Sequence, residues 1–171
     1  RMVHDGGAWF GAIGSLAITV TAPSRPPATS DLFGLCINAN YGDTNPPDFE
    51  LTALGVSWVR TIKYYGKDIT PHGNVKWLVI FNSESIPRNA GESWSSYVTR
   101  FSDAVRDTVR SNAWISAIEV WNEEDLPNTY LSPQDYAPLL RATYEKVKAL
   151  PNPPIVVLGG LASGGPGAAN Y

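Results

Sequence analysis

The sequence predicts an α/β fold in which strands and helices alternate: a (β/α)8 TIM barrel, represented here by about five βα units. Three observations carry that prediction. Five short apolar runs punctuate the chain, amphipathic helical segments lie between the later ones, and polar or aromatic residues stand just past the ends of successive runs. Strands alternating with helices imply parallel βαβ units with helices covering the sheet. The last observation separates the barrel from an open doubly wound sheet, because a barrel builds its chemistry at the C-terminal ends of its strands.

Leu32 to Ile37 (LFGLCI) is the first run, almost wholly apolar, as expected of a strand covered on both faces. Asp48 to Leu54 reads as a short helix stopped by Gly55. Val56 to Ile62 and Val75 to Phe81 are the second and third strands, rich in β-branched residues. Trp94, Tyr97, Val98, Phe101, Val105 and Val109 recur at spacings of three and four, which places them on one helical face. Ala117 to Trp121 is the fourth strand. Ser132 then caps a helix with Pro133 at its first position, and Tyr136, Leu139, Leu140, Tyr144 and Val147 form its expected buried stripe. Pro151 stops that helix, and Ile155 to Leu158 is the fifth strand.

Composition removes several functional classes. The chain of 171 residues carries 13 basic and 16 acidic side chains, a net charge of −3, and its basic residues are scattered. Nucleic acid is therefore not an expected partner, since displacing counterions needs clustered Lys and Arg. A single cysteine, Cys36, excludes an intrachain disulfide, and His4 and His72 match no metal-ligand spacing. No run reaches the ~18 apolar residues of a membrane span. There is no GxGxxG and no GxxxxGK[ST], so neither cofactor nor metal is expected. The Gly-rich stretch from Gly159 reads as a strand exit, because it lacks the lysine of a phosphate cradle.

Two parts are expected along the chain: residues 1–30 as an N-terminal tail and Pro-rich linker, and 31–171 as the partial barrel domain. Ala8 to Ala22 looks a little like a signal-peptide core, yet Asp5 precedes it, and Ser15 to Thr21 alternates as a strand does. The strand or tail reading is preferred, and localisation stays open with a lean toward secretion. Ala22 to Ser30, with three prolines, is the linker.

The most informative stretch is Ile118-Glu119-Val120-Trp121-Asn122-Glu123-Glu124-Asp125. A strand ending in Asn-Glu delivers a carboxyl to the barrel mouth beside an amide. The amide can hold a sugar hydroxyl, and a partly desolvated carboxyl suits a general acid. The plainer reading is that Asn122 and Glu123 cap the loop while Glu124 and Asp125 are solvated. Glu119 alternates away from Val120, toward the barrel interior. Arg60, inside a strand, is expected either in the site or in an ion pair. Asn82, Tyr64, Tyr65 and Tyr130 also lie past strand ends, whereas Trp58, Trp77, Trp94 and Trp114 read as core. Trp121 is open to both readings.

With this motif on its fourth strand, the chain resembles the clan-A retaining glycoside hydrolases, which are (β/α)8 barrels. The resemblance runs from about Leu32 to Ala162 and includes Leu54 to Arg60, where those enzymes aim an Arg of the second strand into the site. It implies cleavage of an O-glycosidic bond in an oligo- or polysaccharide, with Glu123 as acid/base and Asn122, Arg60, Trp121 and Asn82 binding the substrate. Retention needs two carboxyls about 5–5.5 Å apart. The family's nucleophile is a Glu ending the seventh strand, and this chain stops soon after the fifth. The nucleophile is thus expected to be missing, the chain alone to be inactive, and the remainder of the barrel or self-association to complete it. Glu84, Glu92, Glu124 and Asp125 are the other nearby acids, and nothing in the sequence places one opposite Glu123. The alternative is a non-catalytic barrel fragment that binds a carbohydrate or a protein.

Overall fold

A computed structural model describes residues 34–37, 51, 54–71, 74–127 and 129–162. The expected tail and linker, Asn38 and Asn40, His72, and the glycines after Gly160 lie outside the described residues. So does most of the expected helix at Asp48, of which Leu51 is helical and fully buried.

Five strands form one parallel sheet: β1 (Gly34–Cys36), β2 (Trp58–Ile62), β3 (Lys76–Phe81), β4 (Ile115–Val120) and β5 (Ile155–Leu158). Their spatial order is their sequence order, and every neighbouring pair is parallel. The expected pairing of Ile155–Leu158 beside the fourth strand is present, with Val120 opposite Leu158. Nothing reverses direction, unlike the order of a doubly wound sheet. Right-handed crossovers that always step the same way place every helix on the same face.

Among the described residues two full helices occupy that face, α1 (Trp94–Ser111) and α2 (Pro133–Lys148). Each begins as its sequence dictates. The Ser93 and Ser132 hydroxyls accept the otherwise orphaned N–H groups of Ser96 and Asp135. The helices are tied to each other by Lys146, whose Nζ reaches Asp103 Oδ1 at 2.8 Å and the Thr99 carbonyl at 3.1 Å. Tyr97, Val98, Phe101, Val105 and Val109 of α1 are buried as the spacing predicts. In α2 the buried stripe is Tyr136, Leu139, Thr143 and Val147, so the expected Tyr144 is corrected to an exposed position. Its ring lies beside Lys148 Nζ, 5.9 Å away, on the solvent side.

The sheet is two-sided in character. Val59, Thr61, Val79, Phe81, Ile118 and Val120 pack under the helices and are essentially inaccessible. Trp58, Arg60, Ile62, Leu78 and Val157, which alternate with them, are only half-buried, and Ile155 is exposed. β1 departs from the expected doubly covered strand, since Gly34 and Cys36 are exposed.

The Tyr136 hydroxyl joins the sheet's C-terminal edge to α2. It donates to the Val120 carbonyl and accepts from Gly159 N–H, both at 2.8 Å, and so bridges the ends of β4 and β5. Tyr136→Phe strands two buried backbone groups and is expected to cost about 1–3 kcal/mol in urea denaturation. A loss below a few tenths of a kcal/mol would show that the bridge is wet.

Candidate functional site at the end of the fourth strand

The polar residues meet where β2, β4 and β5 end or nearly end. Arg60 on β2 and Glu119 on β4 face the same side, two rungs apart diagonally, because Arg60 is level with Leu78 and Ala117. Arg60 Nε donates to Glu119 Oε2 at 2.7 Å and Nη2 to Oε1 at 2.8 Å, the planar fork that only a guanidinium offers a carboxylate. Glu119 is 4% exposed. Its hydrogen bonds hold the Arg60 pKa above the ordinary guanidinium value, so the guanidinium stays charged. The expected ion pair of Arg60 is present, and Nη2 also donates to Asn122 Oδ1 at 2.7 Å. Its Nη1 reaches Cys36 Sγ at 3.5 Å.

Backbone geometry at the motif is unusual. Trp121 has φ 74° and Glu123 has φ 53°, both in the left-handed region that side chains rarely adopt. Continued alternation would set Trp121 on the Glu119 face. The left-handed turn sends its ring to the helix side instead, where it is 4% exposed, 6.0 Å from the Phe101 ring, and donates through Nε1 to the Thr129 carbonyl. The structure therefore brings Arg60, Asn122 and Glu123 together and leaves Trp121 in the core. Asn82 is also buried, and its Oδ1 accepts Glu84 N–H at 3.0 Å and Ser85 N–H at 3.3 Å. It caps the turn after β3, and the cluster is built without it.

Glu123 is half-buried, and its carboxyl takes no hydrogen bond or ion pair among the described residues. Its backbone is held firmly. Its N–H donates to the Gly160 carbonyl at 2.8 Å, and its carbonyl accepts from Leu126 N–H and from the Thr129 hydroxyl. Tyr65 and Tyr130, in loops at the same end of the sheet, are exposed.

Glu124 and Asp125 overturn the solvated reading, since each is 1% exposed. They are enclosed by the exit of β5. A Cβ on Gly159 would stand 2.6 Å from Glu124 Oε2 and 3.0 Å from the Val120 carbonyl, so a larger residue there would have to displace the Glu124 carboxyl. Asp125 Oδ1 accepts Ala162 N–H at 2.7 Å. Burial, reinforced by Asp125 and Glu119, raises the Glu124 pKa above its usual value. The folded state then holds that proton to higher pH than the unfolded chain does. Stability attributable to this group falls as pH climbs from about 4.5 through the raised value. Glu124→Gln, which imitates the protonated form, is expected to compare more favourably with the parent near pH 7 than near pH 4 in urea denaturation. The opposite trend would mean that Glu124 is stabilised as an anion.

Sequence reasoning missed Glu119 and Gly160 as members of the cluster, although the alternation of β4 had turned Glu119 inward. Glu92, another nearby acid, is engaged by Arg100 of α1 at 2.7–2.8 Å. Among the described residues no group of three His, Cys, Asp or Glu side chains is placed to hold a metal, and no helix is long and apolar enough to cross a membrane. No protein-family model and no curated protein matches the chain. What is established is an α/β chain with a five-stranded parallel sheet whose C-terminal edge gathers an Arg–Glu fork, an amide and an accessible carboxyl.

Proposed function

We propose that the chain is part of a (β/α)8 glycoside hydrolase in which Glu123 is the acid/base and Asn122 and Arg60 bind the sugar. The observation that carries the reading is the placement of an unengaged carboxyl next to an oriented amide at the C-terminal edge of a parallel sheet in sequential strand order. The unrelaxed backbone at Trp121 and Glu123 adds to it, because such conformations concentrate at functional sites. Exposed Tyr65 and Tyr130 offer the flat apolar faces on which sugar rings stack.

In this reading Glu123 donates its proton to the glycosidic oxygen as the bond to the sugar breaks. A second carboxylate attacks the anomeric carbon, forming a covalent glycosyl-enzyme. Glu123, now ionised, takes a proton from the water that releases the sugar. The resemblance assigns that second carboxylate to a seventh strand, beyond the five strands of this sheet.

The test is titration of the labelled protein with soluble oligosaccharides, paired with assays on aryl glycosides. Binding that shifts the Asn122 side-chain resonance and weakens about tenfold or more in Asn122→Ala supports the site. Binding with turnover supports the hydrolase. Binding without turnover, even when the seventh-strand carboxylate is present, assigns the protein to the non-catalytic carbohydrate modules, and no binding to any glycan removes the carbohydrate reading altogether.

A further inference from the structure

An asparagine can present either its oxygen or its NH2 to a ligand, and the sequence does not decide between them. Arg60 decides it here. A guanidinium has five N–H donors and no acceptor, so the atom 2.7 Å from Nη2 has to be Asn122 Oδ1, which turns Nδ2 away from Arg60. Arg60 is itself immobilised by the fork onto Glu119. Glu119 is in turn fixed from a third direction, because Oε1 also accepts Gly160 N–H at 3.1 Å. The carbonyl of Gly160 takes the N–H of Glu123 at 2.8 Å. One buried carboxylate thus governs two neighbours. Through Arg60 it sets the side chain of Asn122, and through Gly160 it sets the backbone of Glu123. The left-handed φ at Trp121 and Glu123 makes this hold necessary, since such conformations persist only where their surroundings fix them.

We infer that Glu119 is the positioning residue of the Asn122–Glu123 pair, and that it makes Asn122 an obligate hydrogen-bond donor. The matching ligand offers an acceptor oxygen at that point. Its identity as a sugar hydroxyl rests on the glycosidase reading, whereas the positioning is a property of the folded chain alone. Glu119 touches no ligand, being buried behind Arg60 and Gly160.

Nuclear magnetic resonance of the 15N-labelled protein tests this without any substrate. In the parent, the Asn122 NH2 is expected to give two distinct, motionally restricted signals. Glu119→Gln replaces one accepting oxygen by a donor and cannot receive all three N–H groups. It is expected to free the Asn122 side chain, read as faster local motion of its NH2 in heteronuclear relaxation, and to speed exchange of the Glu123 amide about tenfold, the change given by losing one hydrogen bond. Should Glu119→Gln fail to fold, the double variant Arg60→Met with Glu119→Leu removes both charges and leaves none stranded. In that variant the readout is the Glu123 amide, whose exchange is expected to quicken in the same way because Gly160 N–H loses its acceptor. Restricted Asn122 signals and unchanged Glu123 exchange in a folded variant would overturn the inference. A mobile Asn122 combined with no glycan binding by the parent would leave the positioning standing and remove the glycosidase.

Discussion

In the complete barrel that the glycosidase proposal requires, Glu123→Gln is expected to lower hydrolysis of natural glycosides by about 10²–10⁴-fold, the usual contribution of general acid–base catalysis. The substitution keeps the size of the side chain and removes only its proton. Its carboxyl takes no hydrogen bond or ion pair among the described residues, so the fold has little to lose. The loss should depend on the leaving group. A dinitrophenyl glycoside departs without protonation, so formation of the glycosyl-enzyme is nearly spared on that substrate. Steady-state kinetics on a matched pair, one natural oligosaccharide and one activated aryl glycoside, reads out the contrast. Equal losses on both substrates would assign Glu123 some role other than proton donation. A silent Glu123→Gln in a preparation that hydrolyses glycosides would remove Glu123 from the mechanism.

The largest effect on stability belongs to Arg60. Arg60→Met leaves the Glu119 carboxylate, 5% exposed at its side chain, without the guanidinium that neutralises it. Breaking one side of a buried pair typically costs about 3–5 kcal/mol, because an uncompensated charge remains in a poorly solvated place. Arg60 is one-third exposed, which puts the expectation at the lower end of that range. Replacing both members by apolar residues should restore most of the loss, since desolvation of the pair offsets much of its attraction. Urea denaturation of the two single variants and the double variant completes the cycle. An Arg60→Met variant within 1 kcal/mol of the parent would mean that water reaches Glu119 freely.

Much of the architecture was legible because punctuation and periodicity agreed. Strand β5 was bounded correctly at both ends, with prolines before it and Gly159-Gly160 after it. Helix α2 began where Ser132-Pro133 said it would. β4 starts two residues earlier than its apolar pattern suggested, at Ile115, because Ser116 occupies a half-buried position on the pairing strand. Tyr144 misled because an aromatic at helical spacing looks like core, while Thr143, one position away, fills that place instead. The site was legible in its polar identities and not in its orientations. Alternation foretold an inward Glu119, but no local pattern announced that Trp121 would adopt a left-handed φ and turn its ring into the core. Glu124 and Asp125 stand in a run of three acids, which reads as solvated until the exit of β5 folds over them.

The strictly sequential strand order has a consequence for how the chain acquires its structure. Each of β2 to β5 pairs with the strand made immediately before it, a few dozen residues upstream. Among these five described strands, each later one finds its neighbour already made, unlike the strands of a sheet whose order doubles back. Loop closure is correspondingly short-range, which favours fast pairing among parallel sheets. The sheet can therefore grow one unit at a time behind the ribosome, with each new helix closing over the edge just formed. Glu119 meets Arg60 only when the fourth strand pairs, and the Gly160 backbone arrives after it, so the cluster around Asn122 and Glu123 becomes rigid only when the fifth unit docks.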